Sequence, residues 1–309
     1  MLSVCVIKNM KKDPIIEGMD KLVEIMKSND RFIYHYTSAK VAREFILSNG
    51  TMRFSNIQGL NDPEESTKYD SIFLDNTENN EKPDSMSTLM SFKRAFPSSV
   101  FSSSYCNDNK ENGPYTGVNL FETINSHVNK GFMKSRMWGT YGDHHAGVCL
   151  CFDKEKLLES FNKAKQTNFE IYGEEIKYSK NIMDYISKFS PINKVSSPTS
   201  IKANKNTISE FRKHVLSNKD FFFFWKQIDW KDENEFKIIL VNDKSISSTE
   251  IFLPFNDSLF AIFMGERFSL ESKNDCFKHY CKSNNISAFR VMYKGGFTHA
   301  RPFNFNYIK

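Results

Sequence analysis

The sequence predicts an α+β fold, a single domain with a split, twisted sheet flanked by helices and helical insertions. Three observations carry that expectation. Short helical periodicities and short β-branched or aromatic runs follow one another, so strands are separated by local helices. No internal repeat is visible. The 309 residues suffice for one sizeable core, and 29 Phe within an aromatic content of 14% supply large rings to fill it.

Asp13-Pro14 reads as a cap followed by proline in the first turn. Ile15, Ile16, Met19, Leu22, Val23 and Met26 then recur at helical spacing, which predicts an amphipathic helix packed on the domain. Arg31 to Tyr36 reads as a strand. Ser38 caps a helix whose buried side is Val41, Ala42, Phe45 and Ile46, and Asn49-Gly50 closes it because glycine tolerates the left-handed conformation. Thr51 to Ser55 is the next strand. Asn61-Asp62-Pro63-Glu64-Glu65 opens another helix, with Asp62 as cap and Glu65 at capping-box spacing.

The polar stretch from Asn76 to Ser87 predicts a loop, and a helix around Thr88 to Phe96 stops at Pro97. Val100 to Cys106 and Gly147 to Phe152 read as strands, with a loop over Asn107 to Gly117. Asp153 caps a helix through Phe161, and Phe169 to Tyr178 is extended. Lys180 to Asn206, rich in Ser, Asn and Lys, predicts an insertion or lid. Ile208, Phe211 and Val215 start a helix leading into Phe221-Phe222-Phe223-Phe224-Trp225, a run too bulky for water. Asn234 to Val241, Leu259 to Met264 and Ala288 to Tyr293 complete the strands, with a helix between the last two.

Lys and Arg number 42 against 37 acids, a net charge of +5 that permits an anionic partner without arguing for one. A mean hydropathy of -0.51 predicts a soluble protein, and no apolar run approaches the roughly 20 residues of a membrane helix. The opening apolar run leads straight into Lys8, Lys11 and Lys12 and makes a poor secretory signal. Six cysteines without the density of a disulfide framework point to the cytoplasm. Neither His144-His145 with Cys149 and Cys151, nor Cys276, His279 and Cys281, has zinc-site spacing, so no metal is expected. A phosphate-binding glycine loop and a serine-hydrolase elbow are both missing from the sequence.

Tyr34-His35-Tyr36-Thr37, Arg53-Phe54-Ser55, Leu60-Asn61-Asp62-Pro63 with Glu65, Met137-Trp138 with Tyr141, Gly147-Val148-Cys149 with Phe152-Asp153, and Trp230 with Glu233 and Glu235 follow in that order. In kind and order they resemble the family known as domain of unknown function 2971. The resemblance runs from about Arg31 to Tyr293, with gaps at Asn76 to Ser87, Glu111 to Phe132 and Lys180 to Asn206. It implies a helical extension over 1–30 and one domain over 31–309, with insertions near 76–98, 111–133 and 180–225. Where the family reads Glu-x-Glu-x-Arg this chain has Lys237, a point charge in place of a two-pronged guanidinium.

The front of the chain also resembles the front of several ADP-ribosyltransferases: a strand carrying histidine then threonine, a short helix ending in Asn-Gly, and a second strand. That resemblance implies the His-Tyr-Glu pattern, with His35, Tyr141 and Glu235 as catalytic residues. It implies NAD as substrate, held by His35, Tyr36, Thr37, Arg53, Ser55, Tyr141 and Glu233. ADP-ribose would pass to a protein, a nucleic acid or water. A toxin or antiphage role, with a partner protein in a defence or toxin–antitoxin system, is a further expectation.

Cleaving the ribose–nicotinamide bond passes through an oxocarbenium-like state, which a carboxylate such as Glu235 stabilises. On a strand Glu233, Glu235 and Lys237 share one face; the bland alternative is a solvated strand face. His35 suits donation to a ribose hydroxyl or the nicotinamide amide, or is a core histidine between Tyr34 and Tyr36. Tyr141, flanked by Gly139 and Gly142, suits stacking on nicotinamide, with Tyr36 as rival and a packed turn as alternative. Arg53 suits a pyrophosphate and Ser55 a ribose, or Arg53 is an exposed residue on an edge strand. Two other functions stay open. One is a metal-dependent nuclease using Asp62, Glu65, Glu233 and Glu235. The other is a non-catalytic sensor or interaction module, marked by His35 and Glu235 being buried and paired.

Overall fold

The computed structural model of the chain describes residues 14–28, 30–68, 95–109, 130–181, 212–244, 246–269, 275–303 and 305. The expected loop over 76–87, most of the helix over 88–96, most of the insertions near 111–133 and 180–225, and the apolar N-terminal run lie outside those residues. The class is α+β. The described strands are β1 (Phe32–Thr37), β2 (Thr51–Asn56), β3 (Val100–Cys106), β4 (Val148–Asp153), β5 (Phe169–Glu175) and β6 (Lys177–Ser179). They continue with β7 (Trp225–Gln227), β8 (Glu235–Asn242), β9 (Glu250–Pro254), β10 (Leu259–Met264), β11 (Ser287–Lys294) and β12 (Phe297–Pro302).

The chain divides into two compact units built from interleaved segments. The first holds Met1–Ser48, Asn107–Leu157 and Asp257–Lys309; the second holds Asn49–Cys106 and Leu158–Asn256.

In the first unit the strand order is β12-β11-β10-β4-β1. All neighbours are antiparallel except β10 and β11. That parallel pair needs a crossover, and the helix Asp275–Asn284 lies in the connection, as the sequence predicts. β4 is buried along its whole length, including the thiols of Cys149 and Cys151, so it reads as apolar throughout rather than alternating. The helix Pro14–Lys27 forms where its cap and proline predict. Its buried side is narrower than its periodicity suggests: Leu22, Ile25 and Met26 are buried, whereas Ile16, Met19 and Val23 are exposed. Gly18 lies against β12, where an added Cβ would stand 3.2 Å from Pro302 Cβ. In the next helix Ser38 caps Val41 as expected, but the chain widens into a π-helical turn over Ala42–Leu47. Ala42, Ile46 and Leu47 turn inward while Val41 and Phe45 stay outside.

In the second unit the order is β5-β8-β3-β2-β9, antiparallel throughout. β8 is its most enclosed strand, buried at every position between β3 and β5. The phenylalanine run forms the short helix Lys219–Phe224, and Phe221, Phe222, Phe223, Phe224 and Trp225 pack with Val100, Ile239 and Val241. Burying side chains of this size contributes about 1.5–3 kcal/mol each, which explains why so polar a sequence holds a firm core. β7 pairs in parallel with β6 and leads through a 3-10 turn, Ile228–Glu233, into β8. Asn234, in the left-handed conformation at φ 45°, makes the corner. Glu233 therefore belongs to the turn, not to the strand face on which its alternation with Glu235 places it.

Candidate functional site

The second unit encloses a cluster of six ionisable side chains. Glu235 and Lys237 point to one side of β8, Lys226 comes from β7, Glu233 from the turn, and Glu65 and Lys68 from the helix opened by Asp62. Lys226 Nζ lies 2.7 Å from Glu235 Oε2, 3.1 Å from Glu65 Oε1 and 3.4 Å from Glu233 Oε2. Lys237 Nζ lies 2.5 Å from Glu65 Oε2 and 3.6 Å from Glu235 Oε1. All six are buried, Glu235 to 4% exposure and Lys237 to 1%.

Asp62 caps its helix as predicted, accepting from Glu64 N at 3.0 Å. Glu65 does not complete a capping box, because both its oxygens engage the lysines. The face carrying Glu235 and Lys237 is thus the inside of the unit, not a solvated surface.

Burial alone pushes the Glu235 carboxyl up, but Lys237 and Lys226 outweigh it and hold the group below the ordinary carboxylate range. Burial likewise opposes ionisation of Glu65, and Lys237, Lys226 and Lys68 overcome it, bringing its pKa to about 2. Lys226 moves the other way. Desolvation lowers it, and Glu235, Glu65 and Glu233 together raise it well above the ordinary lysine value. Lys68, whose ammonium donates to Trp225 O and faces the Trp225 ring, is lowered by burial to about 8. The cluster is three carboxylates facing three ammonium groups, and it is kept charged by mutual attraction at low local dielectric.

Glu235 faces a lysine on each oxygen, Lys226 Nζ at 2.7 Å from Oε2 and Lys237 Nζ at 3.6 Å from Oε1. Its backbone is anchored as well: Glu235 N donates to Tyr178 OH at 2.9 Å and Glu235 O accepts from Ile176 N at 2.8 Å.

Arg53 and Ser55 also lie in the second unit, on β2, with Phe54 opposite and buried. β2 is an inner strand between β3 and β9. Arg53 is exposed and pairs with Glu250 of β9 at 3.0 Å, and Ser55 stands opposite Ser102.

The remaining predicted residues belong to the first unit. His35 is half-buried on β1, opposite Leu150. Tyr36 is a core residue: its hydroxyl donates to Gly131 O at 2.5 Å, and its ring meets Trp138 edge-on at 5.0 Å. Thr37 is buried at the strand end. Tyr141 is half-buried at the C-cap of the helix Ser135–Thr140, its N–H donating to Met137 O at 2.8 Å. Gly142 lets this turn pack on Trp138, since a Cβ there would lie 2.7 Å from Trp138 Cε3. Gly147 brings the turn against β1, where a Cβ would lie 2.3 Å from Thr37 O. The first unit therefore places Tyr141 and Thr37 on adjoining pieces of backbone. Asp143, His144 and His145 between them all adopt positive φ, a run that L-residues avoid.

Among the described residues no group of three or more His, Cys, Asp or Glu is arranged to hold a metal ion. No described helix is long and apolar enough to cross a membrane. The residues that sequence reasoning passed over are Lys226 and Lys68. Only the alternation Glu233, Glu235, Lys237 hinted at a charged face, and partners from Glu65 to Lys237 span 172 positions.

No curated protein and no solved structure matches the chain. Residues 137–238, a stretch containing Tyr141 and the Lys226, Glu233, Glu235 and Lys237 members of the cluster, match the family described as Protein of unknown function (DUF2971).

Proposed function

We propose that the chain is an NAD-using enzyme of ADP-ribosyltransferase type whose working carboxylate is Glu235. One observation supports this reading: Lys237 and Lys226 keep Glu235 an anion although it is buried. A carboxylate that stabilises an oxocarbenium-like ribose must be ionised when positive charge develops, and it acts most strongly where water is excluded. The resemblance also implies catalytic roles for His35 and Tyr141. The acceptor is a protein, a nucleic acid or water.

The test is nicotinamide release from NAD by the wild-type protein and by Glu235→Gln, with mass spectrometry for transferred ADP-ribose. Release by the wild type that vanishes in the folded variant supports the reading; equal release by both ends it.

A second reading, a non-catalytic interaction module, is favoured by the 4% exposure of Glu235 and its pairing with Lys226 and Lys237. In that case the cluster is an internal lock that specifies how the second unit closes. No nicotinamide release by the wild type, at any acceptor supplied, would favour it.

A further inference from the structure

We propose that the outer edge of β12 and the apolar stripe of the helix Pro14–Lys27 form one surface of the first unit, and that its partner is the same surface of a second copy of this chain, docked about a two-fold axis.

The register shows which backbone groups of β12 face outward. Phe303 N donates to Ala288 O at 2.8 Å, one step beyond the pairing of Phe289 with Pro302. Antiparallel pairs alternate between bonded and non-bonded, so Phe297, His299 and Arg301 bond to β11, while Thr298, Ala300 and Pro302 turn their backbone groups away from it. Among the described residues no strand lies beyond β12, and Thr298 and Ala300 are only half-buried. The edge strand of the second unit is closed by contrast. On β9 both backbone groups of Glu250 are taken by Ser248 Oγ, at 2.5 and 3.3 Å, and Pro254 O accepts from Ser160 Oγ at 2.8 Å. Such blocking is how a chain keeps an edge from pairing, and the middle of β12 lacks it.

The helix supplies a second, independent observation. Ile16, Met19 and Val23 recur at i, i+3 and i+7 on one side, yet they are exposed by 55, 46 and 41%. Around the helix they lie to one side of the buried Leu22, Ile25 and Met26, and Lys21 lies to the other. Lys21 Nζ donates to Asn285 O at 2.9 Å and stands over the Phe260 ring of β10, so its side faces the middle of the sheet. The helix itself packs on β12 at Gly18. The stripe therefore points the opposite way, out past the β12 edge.

A single operation covers both features. About a two-fold axis perpendicular to the sheet, Thr298 pairs with the partner's Ala300 and Ala300 with the partner's Thr298, which satisfies every outward group of these two residues. The same axis keeps both helices on one face of the joined sheet and turns their stripes toward each other. A foreign extended peptide would satisfy the edge and leave the stripe bare, which is why a second copy fits better.

The proposal makes no use of Glu235 and stands apart from the NAD reading. In analytical ultracentrifugation the full chain is expected to sediment as a dimer at about 100 µM. Ala300→Pro removes an outward N–H without touching a bond to β11, and Met19→Glu puts charge into the stripe. Each is expected to weaken dimerisation at least about tenfold while the protein stays folded by circular dichroism. A third measurement reads the register. His299 stands opposite its own copy across the axis, so His299→Cys should form an intermolecular disulfide on mild oxidation beyond any seen in the wild type. Arg301→Cys, which faces the partner's Phe297 and not its own copy, should not. A monomer at that concentration overturns the proposal and leaves the stripe to residues 1–13 or to a different protein. A dimer that Met19→Glu and Ala300→Pro leave intact overturns it too, as does equal cross-linking of the two cysteine variants.

Discussion

Lys237 Nζ lies 2.5 Å from Glu65 Oε2, an ion pair between residues 172 positions apart in which the lysine is 1% exposed. It ties the helix after Asp62 to the most enclosed strand of the second unit, so the strength of this contact is coupled to the folding of that unit.

Removing one partner leaves the other charge buried without compensation. Lys237→Met is therefore expected to cost about 3–5 kcal/mol, whereas the double variant Glu65→Gln with Lys237→Met should recover part of that loss. Urea denaturation of the two single variants and the double variant checks this. Strictly additive losses would show that the pair is not coupled.

Stability should fall in acid. Glu65 titrates near 2 in the folded chain against 4.5 for a free glutamate, and Glu235 is lowered as well. A carboxyl group with a depressed folded pKa contributes stability that is complete above its unfolded value and is lost as pH falls through the folded one. For Glu65 the contribution is about 3 kcal/mol, lost progressively between pH 4.5 and 2. Lys68, lowered to about 8 from 10.5, acts with the opposite charge type: the unfolded chain binds the extra proton, so stability rises from pH 8 towards 10.5. Tm across the pH range should show the acid loss, and Glu65→Gln should flatten it.

Two glycines beside Tyr141 separate packing from ligand approach. Gly147→Ala puts a Cβ 2.3 Å from Thr37 O and 2.8 Å from Gly142 O, both backbone atoms that cannot swing away, so a marked drop in Tm is expected. Gly139 sits in the helix Ser135–Thr140 with open space around an added Cβ. Gly139→Ala should be neutral or stabilising by up to about 1 kcal/mol. If Gly139→Ala also lowers nicotinamide release at unchanged stability, the open space there belongs to the bound cofactor.

In the enzyme reading, Lys226 competes with the positive charge that develops on the ribose for the Glu235 carboxylate. Lys226→Arg keeps the positive charge but adds a planar, bulkier fork. It should hold Glu235 ionised and preserve the fold while reducing access to it. The expected outcome is a near-native Tm with reduced nicotinamide release. Unchanged release would place Lys226 outside the path to Glu235.

Much of the local structure was legible. The strand Val100–Cys106 runs where its β-branched and aromatic residues predict, Asp62 and Asp153 cap their helices, and Gly50 closes one at φ 63°. β9 and β12 were not: Glu250–Pro254 and Phe297–Pro302 are short and only partly apolar, and they form because a neighbouring strand offers an unpaired edge. The exposed Ile16, Met19 and Val23 show the reverse failure. There, helical spacing was present but the packing partner covered only the side around Leu22, Ile25 and Met26.

By itself the sequence determined the α+β class, the caps and breaks of its helices, and the charged alternation of Glu235 and Lys237 along β8, because those depend on local propensity and period. Only the tertiary structure decided that Glu235 and Lys237 face inward, that Glu65 serves lysines instead of a capping box, and that Lys226 stands among three carboxylates. An alternating strand shows which side chains share a face, but whether that face meets water depends on what distant chain segments lay against it.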